Sequence, residues 1–444
     1  MTDAVRCVVR DSKQNAEDVP RPAAAPTNDV RRWWYTWVTA LALTVTPTVC
    51  HAQSTVMQSA SGKLSLSQAV AKALQHNFDV QTARFTVDSA KAERRIARAI
   101  PNPSYVASPN TPYQYGASIT LDVGPQRVYR TRTAALGAAA ADIDTHDVAR
   151  TVTLSVQHAF YDVLLSDAMR EQMQLRHAAL QQIYHADSVR VLAGDIPERA
   201  LARSAVELAR TDVDLAHTIN DAQNARFALQ VLLGNDGADT ALVVDGTLEY
   251  HRSEMPSLDS MLILAARGRP DLQAAELRID QGRARQSLAT SSLVPLPSLS
   301  YVRQFGAPFE TGHYYSFGIA LELPLLNNYR GQRERAQSAL SIAALTRDRL
   351  AGQVQRDVVG ARNNLLTQRA ALERLSDGLR DAVQRNVTAA RYAYERGATS
   401  LLDVLDAVRA EQEFHGAQLQ AIHDYWISLF ALNAAVGTSV VRTP

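Results

Sequence analysis

Asp403 and Asp406 are the residues whose type and spacing come closest to doing chemistry in this chain. Three apart on a predicted helix, they share one face, and two carboxylates there attract cations; the plainer reading is a solvated helix face. Nothing beside them supplies catalysis. The sequence contains no phosphate loop ending in Gly-Lys-Ser/Thr, no Gly-x-Ser-x-Gly and no His-Glu-x-x-His. Its eleven histidines are scattered, with none three or four residues from another, the spacing that sets two metal ligands on one helical face. Neither an enzyme nor a resident metal or cofactor is expected.

The aspartates belong to Arg391–Arg409, RYAYERGATSLLDVLDAVR, in which Gly397 interrupts a long helical pattern and Thr399 and Ser400 can cap the helix that follows. This reads as a tight reversal between two long antiparallel helices. Val191–Ala205, VLAGDIPERALARSA, repeats the design with Gly194 and with Pro197 at a first helical position. The first tip joins a long helix over 126–193 to a return helix over 197–233; the second joins 328–396 to 401–436. At 1.5 Å per residue the first long helix would span roughly 100 Å. That is more than a globular domain needs and argues for a bundle or tube.

The rest of the chain is laid out twice around these hairpins. Leu258–Arg269 parallels Leu66–Asn77, and Pro295-Leu296-Pro297-Ser298 answers Pro101-Asn102-Pro103-Ser104. In each copy the apolar period then switches from helical to two, predicting strands over 104–108 and 116–123, and over 299–305 and 314–323. The alternation sets Ile119, Leu121, Phe317, Ile319 and Leu321 on one face and Ser118, Thr120, Ala320 and Glu322 on the other. Residues 53–257 form a first structural repeat and 258–444 a second, in a fold that is mainly α with a small β part. Four such strands cannot close a barrel. Pooled between copies they could cross a membrane; kept within one chain they could cap a soluble periplasmic helical scaffold.

Residues 1–52 stand apart. Arg31 and Arg32, the apolar run Trp37–Val49 and the small-x-small Cys50-His51-Ala52 read as a secretory signal, too short for a spanning helix. The polar residues upstream read as an extension from a misassigned start codon. Removing 1–52 takes six Lys/Arg and five Asp/Glu from totals of 46 and 45, leaving 40 against 40. It also removes Cys7 and Cys50, so no disulfide is expected; acylation of Cys50 is the alternative, disfavoured by Val49 before it. The remaining cations are nearly all Arg and form no basic run, so nucleic acid is not an expected partner.

Several stretches carry a resemblance. YERGATSLLDVLDA at the second tip, LSLSQAVAKALQHN at Leu64–Asn77, AFYDVLL at Ala159–Leu165 and ARFALQVLLG at Ala225–Gly234, in that duplicated layout, resemble the TolC family of outer-membrane efflux proteins over residues 64–437. ITLDVGPQRVYRTR and LELPLLNNYRGQRERAQ are similar to its CzcC-like branch, associated with heavy-metal cation efflux, although Gly124-Pro125 stands where that branch has a double glycine. The resemblance implies a homotrimer whose duplicated helical hairpins form an α-barrel tunnel through the periplasm. Four strands per protomer would make a twelve-stranded β-barrel in outer-membrane lipid. It further implies a passive duct working with a periplasmic adaptor (membrane fusion protein) and an inner-membrane RND-type pump, for heavy-metal cations or, alternatively, for drugs and other organic compounds. Gly194, Pro197, Gly397, Thr399 and Ser400 would lie at the tips that meet adaptor or pump, and Tyr394, Asp403 and Asp406 at a periplasmic gate. Where relatives can carry a basic residue this chain has Thr399, and Ala200 stands at the counterpart of Asp403. Arg203, the counterpart of Asp406, is therefore the candidate partner for one of the two aspartates.

Overall fold

The computed structural model describes residues 63–108, 113–235, 242–307, 310–375 and 377–440. Helices α1 (Leu66–His76) and α2 (Phe78–Arg98) lead to strands β1 (Ser104–Ser108) and β2 (Tyr113–Thr120), then to α3 (Pro125–Leu192) and α4 (Glu198–Leu232). The same order returns as α5 (Leu258–Gly268), α6 (Pro270–Ser291), β3 (Pro297–Ala307), β4 (Glu310–Leu321), α7 (Arg330–Arg374), α8 (Asp377–Glu395) and α9 (Leu401–Val436). Local chemistry sets the starts. Ser65 and Gln68 close a reciprocal capping box on α1, and the Asn77 side chain accepts from the Asp79 N–H at 2.9 Å to open α2. Proline occupies the first turn of both α3 and α6, where its missing N–H costs nothing.

Several boundaries differ from those the sequence suggests, among them β3 at Pro297–Ala307 and the start of β4 at Glu310. The helix expected over 328–396 is divided: α7 stops at Arg374, Leu375 leaves helical geometry at φ −86°, ψ 53°, and α8 starts at Asp377. The sequence there is Leu375-Ser376-Asp377-Gly378, turn chemistry that the surrounding periodicity hides. Strand β2 lies three residues earlier than 116–123. Asp122 is buried in an ion pair with Arg130, which draws 121–124 into the approach to α3 instead of the sheet. Strand β4 ends at Leu321, so Glu322 and Leu323 fall outside it, as Leu121 falls outside β2.

The sheet is an antiparallel meander in the order β1-β2-β3-β4, in which the outer edges of β1 and β4 have no partner strand among the described residues. Its register sorts side chains by type. Ile119, Leu299 and Ile319 make one cross-strand row, and Ala117, Tyr301 and Phe317 the next. Tyr115, Arg303 and Tyr315 follow towards the hairpin tips, with the Arg303 guanidinium 4.5 Å from the Phe305 ring and donating to the Tyr115 hydroxyl at 3.2 Å. The opposite face carries Ser104, Ser118, Ser300 and Gly318 in one row and Thr120, Ser298 and Ala320 in another. Phe317 and Ile319 are 83% and 74% exposed, so the apolar face is uncovered in the single chain.

The core gathers midway along the long helices rather than at their ends. From α9, Trp426, Leu429, Phe430 and Leu432 pack on Val156, Phe160 and Val163 of α3, with Leu229 of α4, Met261 of α5 and Val358 of α7. The Tyr161 ring stands 5.1 Å from Phe430 and 5.6 Å from Trp426. The connector between the repeats is strapped over this belt: Trp426 Nε1 donates to the Glu249 carbonyl at 2.9 Å and the Tyr425 hydroxyl to the His251 carbonyl at 3.1 Å. Burial of this apolar surface, at roughly 25 cal/mol per Å², anchors both hairpins where they cross, leaving their far ends to smaller contacts.

Candidate functional site

Both hairpin tips close by the same backbone device. Gly194 (φ 78°) donates to the Val191 carbonyl while Asp195 donates to Arg190; Gly397 (φ 71°) donates to Tyr394 while Ala398 donates to Ala393. This crossed pair is the Schellman ending, and its left-handed residue favours glycine. The helices that leave the tips begin differently. Pro197 is the residue before α4 rather than its first helical residue, and it offers no side-chain cap. Ser400 caps α9, accepting from the Asp403 N–H, and Asp403 accepts in return from the Ser400 N–H at 3.0 Å. The same carboxylate accepts from the Thr399 hydroxyl at 2.6 Å and the Ser400 hydroxyl at 2.7 Å. Those bonds, from Thr399 and then Ser400, hold the Asp403 carboxyl below the usual range.

Asp403 is therefore occupied in starting a helix. Asp406 points to solvent and has Arg409 at 3.6 Å, one turn along α9. Arg203 is exposed on α4, and it makes no ion pair with either aspartate in the chain. The structure thus sets Tyr394, Asp403 and Asp406 on neighbouring turns of one hairpin and leaves Arg203 apart from them.

Two links cross the hairpins, and of their four residues the sequence singles out only Tyr394. Arg409 of α9 pairs with Glu207 of α4, a carboxylate only 8% exposed, which Arg210 also approaches at 3.7 Å. Tyr394 of α8 donates its hydroxyl to Asp187 of α3 at 2.6 Å. Asp187 is fully buried, its second oxygen has no hydrogen-bond partner among the described residues, and Arg190 stacks 5.2 Å from the Tyr394 ring. Burial first, and then the bond to Asp187, push the Tyr394 pKa up to about 12. Around these polar links lie small apolar contacts: Val387, Val404, Ala407 and Val408 with Ile183, and Leu180, Leu401 and Leu405 with Leu208. A signal for Asp187 was present in the sequence, since Leu180, Ile183 and Asp187 follow helical spacing and place a carboxylate on an apolar stripe.

The arrangement holds the two hairpins together through polar links and small apolar contacts. Among the described residues no three His, Cys, Asp or Glu side chains converge to hold a metal, and no helix is long and apolar enough to cross a membrane.

The chain matches a family model described as "Outer membrane efflux protein" over residues 69–235 and again over 262–438. It is 26% identical over 372 residues to the cobalt-zinc-cadmium resistance protein CzcC of Cupriavidus metallidurans, covering 79% of this chain and 84% of that one. It is 24% identical over 382 residues to the cation efflux system protein CusC of Escherichia coli O157:H7, covering 77% and 79%. In fold it is similar to the outer-membrane channel OprN, with a TM-score of 0.72 at 19% identity over 84% of this chain and 90% of that one.

Proposed function

We propose, from the premise that this chain belongs to the outer membrane efflux protein family, that it forms the duct through which heavy-metal cations leave the cell. The family assignment makes it an efflux channel component, a passive conduit and not an enzyme. The observation that carries the cation reading is the similarity to CzcC and CusC over most of both chains, joined to the exposed Asp406 at the hairpin tip.

The working form is a homotrimer in the outer membrane, reaching into the periplasm to meet an adaptor and an RND-type pump. What supports it is the open sheet: β4 of one protomer can complete its hydrogen bonds on β1 of the next, and closing the ring removes every free edge. The apolar face with Phe317 and Ile319 then meets lipid and the serine-rich face the lumen, the division a bilayer requires. Residues 53–257 and 258–444 are the two repeats, and residues 1–52 are removed on export with no acyl chain on Cys50.

The duct rests closed at its periplasmic end. The Tyr394–Asp187 and Arg409–Glu207 links keep the second hairpin against the first, and Gly194, Pro197, Gly397, Thr399 and Ser400 present the surface on which adaptor or pump acts. Arg203, which makes no ion pair among the described residues, is available to an aspartate of the neighbouring protomer. Aspartates left unpaired would ring the axis and favour cations.

Deleting the gene and measuring tolerance to Co, Zn, Cd, Ni and Cu beside a panel of hydrophobic drugs tests the substrate. Loss of tolerance to one or more of the cations supports the reading. Unchanged metal tolerance with new drug sensitivity would replace it with a duct for organic compounds.

A further inference from the structure

The histidines that look scattered in the sequence are not all scattered in space. His423 of α9 is 8% exposed, and both its ring nitrogens face carboxylates: Nε2 lies 2.8 Å from Asp162 Oδ1 on α3, and Nδ1 lies 3.0 Å from Asp424 Oδ1 on α9. Gln420 donates to that same Asp424 oxygen at 2.8 Å. A neutral imidazole has one N–H and one lone pair. With one carboxylate at each nitrogen, the neutral ring would set its lone pair against an ionised oxygen; the imidazolium donates to both. The geometry therefore selects the charged histidine.

One turn before Asp162 on α3 stands His158, whose Nε2 is buried with no hydrogen-bond partner among the described residues. We propose that His158, Asp162, His423 and Asp424 form a proton-operated clamp that ties α9 to α3 at the level of the core belt. With the proton on His423 the ring bridges the two helices. When that proton leaves for solvent, one of the two hydrogen bonds becomes a lone-pair repulsion and the bridge loosens: a ring protonated on Nδ1 repels Asp162, and one protonated on Nε2 holds α3 with a neutral donor in place of a charged one. The clamp lies about thirty residues from the tip on α3, roughly 45 Å away, so it is separate from the links at Tyr394 and Arg409. Its release frees the helix on which Asp403 and Asp406 are carried.

The charged neighbours can be enumerated element by element. From α3 they are His158 and Asp162, and from α9 itself Asp424. On α7 and in the connector, Arg369, Glu373 and Arg252 act on Tyr250, whose ring packs on Tyr425, and not on either histidine. Burial alone would lower the His423 pKa, but the bonds to Asp162 and Asp424 overcome it and hold the value above the ordinary one. Burial lowers His158, with Asp162 opposing and His423 adding to the effect. The two histidines therefore contribute with opposite sign. His423 stabilises fully below the unperturbed value of about 6.5, and that contribution is lost as pH rises through its raised folded value. His158 stabilises above about 6.5 and loses its contribution as pH falls through its lowered one. The clamp is tightest between the two.

Hydrogen exchange of the full-length protein in detergent, read by mass spectrometry on α9 segments around His423, tests this. After correction for intrinsic chemistry, exchange there should rise as pH passes from near 6.5 to the alkaline side through the raised His423 value. His423→Gln should show the raised rate at every pH. Asp162→Asn alters a side chain that is half exposed, so the fold tolerates it, and it should move the midpoint of the rise towards the ordinary histidine value. His158→Gln should leave the alkaline rise intact and remove the loosening on the acid side. A corrected rate in the parent that does not change with pH overturns the clamp, as does an Asp162→Asn midpoint equal to the parent's.

Discussion

Tyr394→Phe removes one hydroxyl and isolates a carboxylate. In the parent, Asp187 is fully buried and accepts from Tyr394 at 2.6 Å, with no hydrogen bond to its other oxygen among the described residues. Without that donor, the buried acceptor is stranded, which costs about 1–3 kcal/mol and more where the group is charged. The cost falls on the state in which α8 lies against α3, because in an opened hairpin Asp187 reaches water. A penalty of that size moves the closed-to-open ratio roughly 5- to 150-fold in each protomer. Purified protein in planar bilayers should accordingly show higher mean conductance and more frequent open events than the parent. Tyr394→Phe combined with Asp187→Leu should conduct less than Tyr394→Phe alone, because removing both partners leaves nothing stranded. Parental conductance in Tyr394→Phe, or an effect in the double variant equal to the sum of the two single ones, would refute the reasoning.

Ile319→Arg places a cation on the apolar face of the sheet, at a cost of about 2–4 kcal/mol near a bilayer midplane; the heat-modifiable trimer should be lost from outer-membrane fractions, whereas Glu322→Gln should assemble normally. Ser400→Ala removes the cap of α9 and should destabilise its first turn by about 1 kcal/mol, visible as faster amide exchange confined to residues 401–405. Arg203→Ala should raise conductance, and Asp403→Ala with Asp406→Ala should weaken cation selectivity measured by reversal potential; if all of these conduct and select like the parent, the tip charges are solvated surface.

The parts of this molecule that are legible in the sequence are those written over a few consecutive turns. Gly397, Thr399, Ser400 and Asp403 announce a helix ending and a cap because each acts on backbone within four residues of itself. The alternation through Phe317 and Ile319 gives the faces of the sheet for the same reason, since neighbouring strands inherit them through the register. What the sequence conceals is which face meets which. Glu207 and Arg409 are 202 residues apart, and Asp187 and Tyr394 are 207 apart. Helical spacing says that a side chain is buried without saying against what. Analogy between the repeats points to Arg203 as a partner for Asp406, whereas within the chain it is Arg409, one turn beyond Asp406 on the same helix, that stands 3.6 Å from it. The end of β2 lies earlier for a local cause, the pairing of buried Asp122 with Arg130, which no alternation rule contains.

The two uncovered edges of the sheet also bear on how the protein comes to exist. Among the described residues a lone protomer carries a row of unpaired backbone groups on β1 and another on β4, beside an exposed apolar face. If the strands are pooled in the bilayer as proposed, each unmet group of a single protomer would cost several kcal/mol in hydrocarbon, and insertion would not precede association. The yield of finished channels must then climb more steeply than the supply of newly exported chains. A chain waiting for company must be shielded by a carrier or be lost to proteolysis. On that reading scarcity, rather than misfolding of any one copy, would be the route by which the protein fails to appear in the membrane.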